Sequence, residues 1–214
     1  MDHYIEGCLF NNVGFVQSII SEEALAPIKE EIFKIQDNFV DAVDYNQYLA
    51  GHIEKEYKIV ETKNYLETLL YPLVCSYDQI FDHTQSHNSV DKNLPLTLSL
   101  DSAWVNFQKK YEFNPPHNHS GVLSFVIFVD IPYDIQDETN QFPTANGSSA
   151  GCFNFLYSSS NGSITSHTIP ADKTFNNTIL IFPSSMFHYV NPFYTSDEYR
   201  ITVSGNFCFV LDSR

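Results

Sequence analysis

The sequence predicts an α+β fold, with helices in its first part and antiparallel β-structure in its second. Residues 21–39 and 61–81 carry apolar side chains at helical spacing. From residue 94 onward the pattern changes to about seven or eight short β-rich runs, separated by Pro, Gly, Asn and Asp, with no helical pattern between them. Such a succession of strands favours an antiparallel sandwich, barrel or jelly roll.

The two predicted helices differ in how clearly their ends are marked. Ser21 can cap the first helix, in which Ile28, Ile32 and Ile35 recur on one face. Pro27 indicates either a kink or a later start of that helix. Pro72 weakens the prediction of the second helix, although its leucines form one broad apolar face.

A polar segment, residues 83–93, predicts a loop between the helical and the β-rich parts. His83 and His87 lie four residues apart in it, a spacing that could chelate a metal on a helix. No third ligand lies nearby and the context is loop-like, so we do not expect a metal site there. A chain of 214 residues fits a single domain, residues 1–214, with a mainly helical part at 1–93 and a β-rich part at 94–214.

Composition excludes several classes of partner and location. A formal net charge of −15 repels nucleic-acid phosphates and anionic lipid surfaces, so we expect neither partner. The longest apolar stretch, residues 122–131, is too short to span a bilayer. We see no signal peptide, and no cysteine pair has the spacing of a zinc or dithiol motif. We therefore expect reduced thiols and a cytoplasmic protein.

The candidate chemistry is concentrated in the stretch NPPHNHSGVLSFVIFVD, residues 114–130. His117 and His119 alternate just before the most apolar run, as ligands at one strand end would. His188 follows another strand-like run, ILIFPSSMF, 69 residues after His119. Iron(II) in an oxygenase needs three protein ligands on one face and open positions opposite them. The order of these histidines therefore predicts an iron centre at the ends of neighbouring strands.

Arg200 adds a second feature to this pattern. Arg200 and the terminal Arg214 are the chain's only arginines. A guanidinium group pairs with a carboxylate through two hydrogen bonds, which suits the far end of a dicarboxylate cosubstrate. Thr202 follows two residues later, on the same strand face, and can add a hydroxyl hydrogen bond.

Residues 104–206 resemble the 2-oxoglutarate- and Fe(II)-dependent oxygenases, most closely a group of bacteriophage-encoded hydroxylases with prolyl-hydroxylase-like topology. The resemblance rests on the motifs NPPHNHSG, LSFVIFVDIP, IFPSSMFHYVNPF and RITVSGN. It implies a double-stranded β-helix (a cupin-like jelly roll) at residues 94–214, braced by helices from residues 1–93. It also implies one iron, with 2-oxoglutarate and O2 as cosubstrates. The ligand positions fall on His117, His119 and His188, and the cosubstrate anchor falls on Arg200.

The resemblance also assigns two positions on the strand after the histidine pair and raises one difficulty. Ser124 would line the cosubstrate pocket together with Thr202, and Phe128 stands where related enzymes carry a hydroxylated aromatic residue. The usual second ligand is Asp or Glu, whereas here it is His119. Three interpretations are open: a three-histidine iron centre, replacement of one imidazole by a carboxylate such as that of Asp101, or a degenerate site. A three-histidine centre would carry one more positive charge and pair more strongly with an anionic cosubstrate.

The activity expected from the resemblance is hydroxylation of a peptide or protein side chain, or of a small molecule, with release of succinate and CO2. One alternative is a cupin-type three-histidine dioxygenase that does not use 2-oxoglutarate; the pair of Arg200 and Thr202 speaks against it. Another is a non-catalytic jelly-roll module of a phage. The expected partners are the small-molecule cosubstrate and, as a candidate substrate, a peptide or protein. The expected location is the cytoplasm, of an infected bacterium if the protein is phage-encoded. The oligomeric state stays open.

Overall fold

The computed structural model describes residues 14–86 and 96–211. In these ranges the α-helices are α1 (Glu22–Asp37), α2 (Lys63–Phe81), α3 (His83–Ser86) and α4 (Ile135–Asn140). The strands are β1 (Val16–Ile19), β2 (Glu56–Lys58), β3 (Leu96–Gln108), β4 (Asn114–His117), β5 (Leu123–Asp130), β6 (Phe153–Ser158), β7 (Ile164–Ile169), β8 (Thr178–Pro183), β9 (His188–Val190) and β10 (Arg200–Leu211).

The strands form two antiparallel sheets. Six strands pair in the order β1-β8-β5-β10-β3-β2, and four pair in the order β4-β9-β6-β7. An aromatic-rich core fills the space between the sheets, including Phe128 of β5, Phe153 and Phe155 of β6, and Phe182 of β8. The predicted α+β class, with a jelly roll as its β-part, is confirmed.

The position of strand β5 explains why its sequence is apolar throughout rather than alternating. Phe125 and Ile127 pack into the core that contains the helices, whereas Val126 and Phe128 pack into the core between the two sheets. A strand that is buried on both faces reads as a continuous apolar run. This strand therefore forms a central wall between the helical layer and the interior of the jelly roll.

Helices α1 and α2 cover the outer face of the six-stranded sheet, where their apolar faces join one core with it. The Ser21 side chain caps α1 by accepting a hydrogen bond from the Ala24 backbone N at 3.2 Å. Pro27 and Pro72 lie inside α1 and α2, so neither proline ends its helix. None of the described helices combines the length and hydropathy needed to cross a membrane.

The first part of the chain also contributes two strands that the sequence did not predict. β1 and β2 are only four and three residues long, and they form the two edges of the six-stranded sheet. The predicted loop begins instead with the short helix α3, and residues 87–93 lie outside the described residues, His87 included.

Candidate metal centre

Three histidines from different segments meet in the interior, between the two sheets. His117 ends β4 and His188 begins β9, and the two residues are partners in the antiparallel pairing of these strands. The loop after β4 carries His119, whose backbone N donates a hydrogen bond to the Ser184 carbonyl at 2.8 Å. One potential ligand atom from each histidine lies within 4.8 Å of the other two. The chain thus presents three nitrogen donors to one point.

Hydrogen bonds fix the orientation of two of these rings. The Nδ1 of His117 lies 2.7 Å from the Pro115 carbonyl oxygen, and the Nδ1 of His188 lies 3.0 Å from that of Met186. Because a carbonyl only accepts, both Nδ1 atoms carry the proton. The lone pair of each neutral ring is then on Nε2, which is the arrangement that metal-bound histidines adopt.

Burial keeps all three imidazoles neutral at physiological pH. It lowers the pKa of His119 to about 4, with a further contribution from His117. It lowers the pKa of His117 too, and that of His188 well below its ordinary value, where the neighbouring His117 and His119 add to the effect. A metal ion would therefore meet neutral ligands and displace no proton at neutral pH.

The metal-free protein should lose stability as the pH falls below about 6.5. The unfolded chain binds protons at the ordinary histidine pKa, whereas the folded chain binds them only at lower pH, so acid favours unfolding. With a folded pKa of about 4, His119 alone should account for roughly 2 kcal/mol between pH 7.5 and 5. Urea unfolding of the wild type and of His119→Gln at both pH values measures this difference. Equal losses in the two proteins would contradict the prediction.

A buried arginine lies in the same cavity as the histidines. Arg200 begins β10 and is 1% exposed, and its Nη1 donates a hydrogen bond to the Gly151 carbonyl at 3.2 Å. Its Nε has no hydrogen-bond partner, and no described carboxylate forms a salt bridge with the guanidinium. The guanidinium carbon lies 5.6 Å from the centre of the Phe128 ring. A buried cation without a counter-ion is costly unless an anion joins it, so the site fits an anionic ligand.

Thr202 lies one strand period from Arg200 on β10 and lines the same cavity. Its Oγ1 accepts a hydrogen bond from Asn106 Nδ2 at 3.0 Å, across the β10–β3 pairing. Because the Asn106 amide supplies that proton, the Thr202 hydroxyl hydrogen is free to be donated elsewhere. An anion held by Arg200 would find this second donor beside it.

Ser124 and Asp101 lie apart from this group. Ser124 is buried on β5, but its Oγ lies 2.7 Å from Asn206 Oδ1 and 2.9 Å from Ser184 Oγ, and it does not line the cavity. Asp101 is exposed and sits where the β3–β10 register shifts. It is not part of the cluster of potential ligands, so its replacement of an imidazole was a wrong interpretation.

Four further residues line the cavity or support Arg200 and were not predicted from the sequence. Glu56 and Gln108 line the cavity and are 1% and 3% exposed. Gly151 and Tyr133 support Arg200, because the Gly151 carbonyl also accepts a hydrogen bond from the Tyr133 hydroxyl at 2.7 Å. A usable signal existed for Gln108, since two polar side chains at alternate positions interrupt the apolar run AWVNFQ. Nothing in the sequence sets Glu56 apart from its charged neighbours.

Residues 102–206 match the family model of the 2OG-Fe(II) oxygenases, in which 2OG denotes 2-oxoglutarate. The chain carries a 2-oxoglutarate- and Fe(II)-dependent oxygenase domain. It is accordingly an enzyme whose cofactor is Fe(II) and whose cosubstrate is 2-oxoglutarate. The three neutral imidazoles and the buried guanidinium are donors of the kind that this iron and this dicarboxylate require.

Solved structures of low sequence identity share the fold of this oxygenase. A Pseudomonas putida prolyl-4-hydroxylase is 11% identical, with a TM-score of 0.56 over 91% of this chain and 92% of its own. SnoN, a non-heme alpha-ketoglutarate-dependent epimerase from nogalamycin biosynthesis, is 14% identical, with a TM-score of 0.56 over 92% of this chain and 77% of its own. AviO1 from Streptomyces viridochromogenes is 12% identical, with a TM-score of 0.54 over 94% of this chain and 90% of its own. No curated protein sequence matches the chain significantly.

Proposed function

We propose that this oxygenase hydroxylates a C–H bond in a peptide or protein side chain or in a small molecule. In the overall reaction, 2-oxoglutarate, O2 and the C–H substrate give succinate, CO2 and the hydroxylated product. The observation that carries the proposal is the buried guanidinium of Arg200, which has no carboxylate partner among the described residues and lies in one cavity with three neutral histidines. A hydroxylase in this fold class, the prolyl-4-hydroxylase, makes a peptide side chain the first candidate, by analogy of fold alone.

In this proposal each polar group of the cavity has a separate task. His117 and His188 would hold the iron through Nε2, and His119 would hold it through a ring nitrogen. When bound, the iron supplies the redox chemistry that couples decarboxylation of 2-oxoglutarate to oxidation of the C–H bond. Arg200 and Thr202 bind the far carboxylate of 2-oxoglutarate and so fix its orientation. Ser124 contributes from β5 by holding Ser184 and Asn206 rather than by reaching the cavity.

The histidine at position 119 is part of the proposed centre rather than a sign of its loss. Its ring lies 4.9 Å from that of His117 and 5.1 Å from that of His188, centre to centre. It also contacts the buried Trp104, at 5.5 Å between ring centres. A neutral third ligand leaves the bound metal with its full charge, which strengthens the attraction of the anionic cosubstrate.

Turnover without a prime substrate tests the proposal directly. Metal-free protein is mixed with Fe(II), 2-oxoglutarate and O2, and succinate is measured, with each component left out in turn. We expect succinate above the protein-free control only in the complete mixture. Iron-dependent O2 consumption that persists without 2-oxoglutarate would favour the cupin-type alternative. Failure to bind Fe(II), together with unchanged stability of a His117→Ala/His188→Ala double variant, would favour the non-catalytic module.

Gly151→Ala should weaken 2-oxoglutarate binding without affecting the iron. Gly151 has φ of 72°, and a Cβ there would come within 2.8 Å of the Tyr133 ring. Relief of that clash displaces the carbonyl that holds Arg200, so we expect the KM for 2-oxoglutarate to rise about tenfold. Gly147→Ala is the matched control, because φ is 91° there and nothing lies within 4 Å of the added Cβ. An equal rise in both variants would attribute the effect to backbone strain alone.

We infer that the reaction takes place in a reducing compartment, the cytoplasm, which keeps both Fe(II) and thiols reduced. The three described cysteines, Cys75, Cys152 and Cys208, are free thiols. If the resemblance to bacteriophage hydroxylases extends to origin, that cytoplasm is the one of an infected bacterium.

A further inference from the structure

We propose that Glu56 is a substrate-binding residue and that the prime substrate carries a cationic nitrogen group, a guanidinium or an ammonium. This inference rests on the proposed function, because it assumes that the cavity holds the C–H substrate beside the iron and the cosubstrate. It concerns the part of the cavity lined by the edge strand β2, which carries neither the histidines nor Arg200.

Glu56 is a buried carboxyl group with unused hydrogen-bonding capacity. It lies on the edge strand β2, lines the cavity and is 1% exposed. Its Oε2 has no hydrogen-bond partner among the described residues. A buried acceptor without a donor costs free energy, and a ligand that brings a donor recovers it. The contrast is Glu31, also buried, whose two oxygens accept hydrogen bonds from three backbone N–H groups and a hydroxyl.

A second unused acceptor lies beside it. Glu56 pairs with Asn106 of β3, which in turn pairs with Thr202 of β10, so the three side chains form one row across the sheet. Asn106 Nδ2 donates to Thr202, and its Oδ1 is buried without a partner. Neighbouring strands lie about 4.8 Å apart, which places Glu56 about 10 Å from Thr202.

The cavity therefore has two ends of opposite polarity. Arg200 offers an unused donor at the β10 end, whereas unused acceptors lie on the middle strand β3, at Asn106, and at the β2 end, at Glu56. The donor end matches the dicarboxylate cosubstrate. The acceptor end matches a group with several N–H donors, and a guanidinium or ammonium can satisfy both oxygens at once.

Charge favours a cation over a neutral amide at this end. Burial, followed by the nearby carboxylates of Glu112 and Asp44, raises the pKa of Glu56 to about 8. A positive group beside Glu56 relieves this repulsion and lets the carboxyl ionise as it binds. The chain's net charge of −15 also raises the concentration of cations near its surface.

Space next to the Glu56 carboxyl group depends on the absence of a side chain at Gly51. A Cβ on Gly51 would come within 2.9 Å of Glu56 Oε1 and would also crowd the Asn114 side chain. Gly51 and its neighbours at positions 49, 50 and 53 line the cavity. Gly51→Ala thus reduces the space next to the carboxyl group while leaving the charge unchanged.

The test compares cationic probes with neutral ones of similar shape. Arginine is paired with citrulline and lysine with norleucine, each as the free amino acid and within a blocked pentapeptide, which separates a small-molecule substrate from a peptide. The measured quantity is the stimulation of succinate formation over the probe-free rate of the same protein. We expect at least one cation to stimulate about tenfold more than its neutral partner, and Glu56→Gln to remove that preference. Glu54→Gln, the same change at an exposed position two residues away, should keep it.

A binding measurement tests, independently of turnover, whether a cation binds beside Glu56. The protein is loaded with Zn(II), a redox-inert substitute for iron, and with 2-oxoglutarate, and the Glu56 carboxyl 13C resonance is followed at pH 7. The preferred cation should move this signal toward the ionised position, and citrulline or norleucine should not. Gly51→Ala should weaken the response.

The outcomes separate this inference from the proposed function. Basal succinate formation without any cation preference, or a preference that survives in Glu56→Gln, would overturn the inference and leave the oxygenase intact. Weaker Fe(II) binding in Glu56→Gln than in Glu54→Gln would assign Glu56 to the metal and overturn it as well. Without succinate formation by the wild type, the proposed function fails, and an unmoved Glu56 resonance would then reject the inference separately.

Discussion

Replacing His188 by alanine is expected to abolish succinate formation and to weaken Fe(II) binding by at least about 100-fold. His188 is the most buried of the three proposed ligands, 5% exposed, and it adjoins the rings of Phe153 and Phe182. Loss of an outer-shell partner already costs up to about 100-fold in metal affinity, and loss of a ligand costs more. Anaerobic calorimetry with Fe(II), followed by the succinate assay, measures both effects.

His167→Ala is the control for this experiment, because His167 is exposed and lies outside the ligand cluster. His117→Ala provides a second test at a less buried ligand, in case the cavity left by His188 destabilises the fold. Circular dichroism and thermal unfolding verify that each variant is folded. Folded His188→Ala and His117→Ala proteins that bind Fe(II) as the wild type does would refute the three-histidine centre.

Replacing Arg200 by alanine should raise the KM for 2-oxoglutarate by about 100-fold or more and leave Fe(II) affinity nearly unchanged. Removing one partner of a buried, hydrogen-bonded charge pair costs roughly 2–5 kcal/mol. Arg200→Lys keeps the charge but loses the planar fork, so its KM should lie between those of the wild type and the alanine variant. Steady-state succinate formation at varied 2-oxoglutarate concentrations measures the three values.

The separation of the two effects is what makes the Arg200 prediction specific. General damage to the interior would weaken iron and cosubstrate binding together, whereas loss of an anchor affects the cosubstrate. An Arg200→Ala protein with an unchanged KM for 2-oxoglutarate would remove Arg200 from the site. In the wild type, the buried guanidinium of Arg200 would then need an anion other than 2-oxoglutarate as its partner.

Much of the fold was predictable because its signals are local. The helical spacing of isoleucines in α1 depends on that segment alone, and the structure begins and ends the helix within two residues of the predicted limits. The apolar run of β5 likewise indicates a buried strand, and both of its faces are buried in the structure. β1 and β2 were missed because strands of four and three residues carry no readable alternation, and they exist only through pairing with β8 and β3.

The candidate site also contains features that the sequence indicates and features that depend on the fold. The spacing of His117 and His119, with His188 and Arg200 after later strands, indicates a metal and an anion from the sequence alone. Residue type and order were the only signals needed for this prediction, because all of them can be read from the chain itself. Ser124 shows the limit of this reasoning, since facing the interior did not bring its hydroxyl into the cavity.

The sequence alone thus determined the fold class, the oxygenase resemblance and the three candidate ligands with their anchor. Only the tertiary structure decided which polar groups are buried without partners, and these are Arg200 Nε, Asn106 Oδ1 and Glu56 Oε2 among the described side chains. Hydrogen-bond satisfaction depends on neighbours that are distant along the chain. For that reason Glu54 and Glu56 look alike in the sequence, whereas in the fold one is exposed and the other lies in the cavity.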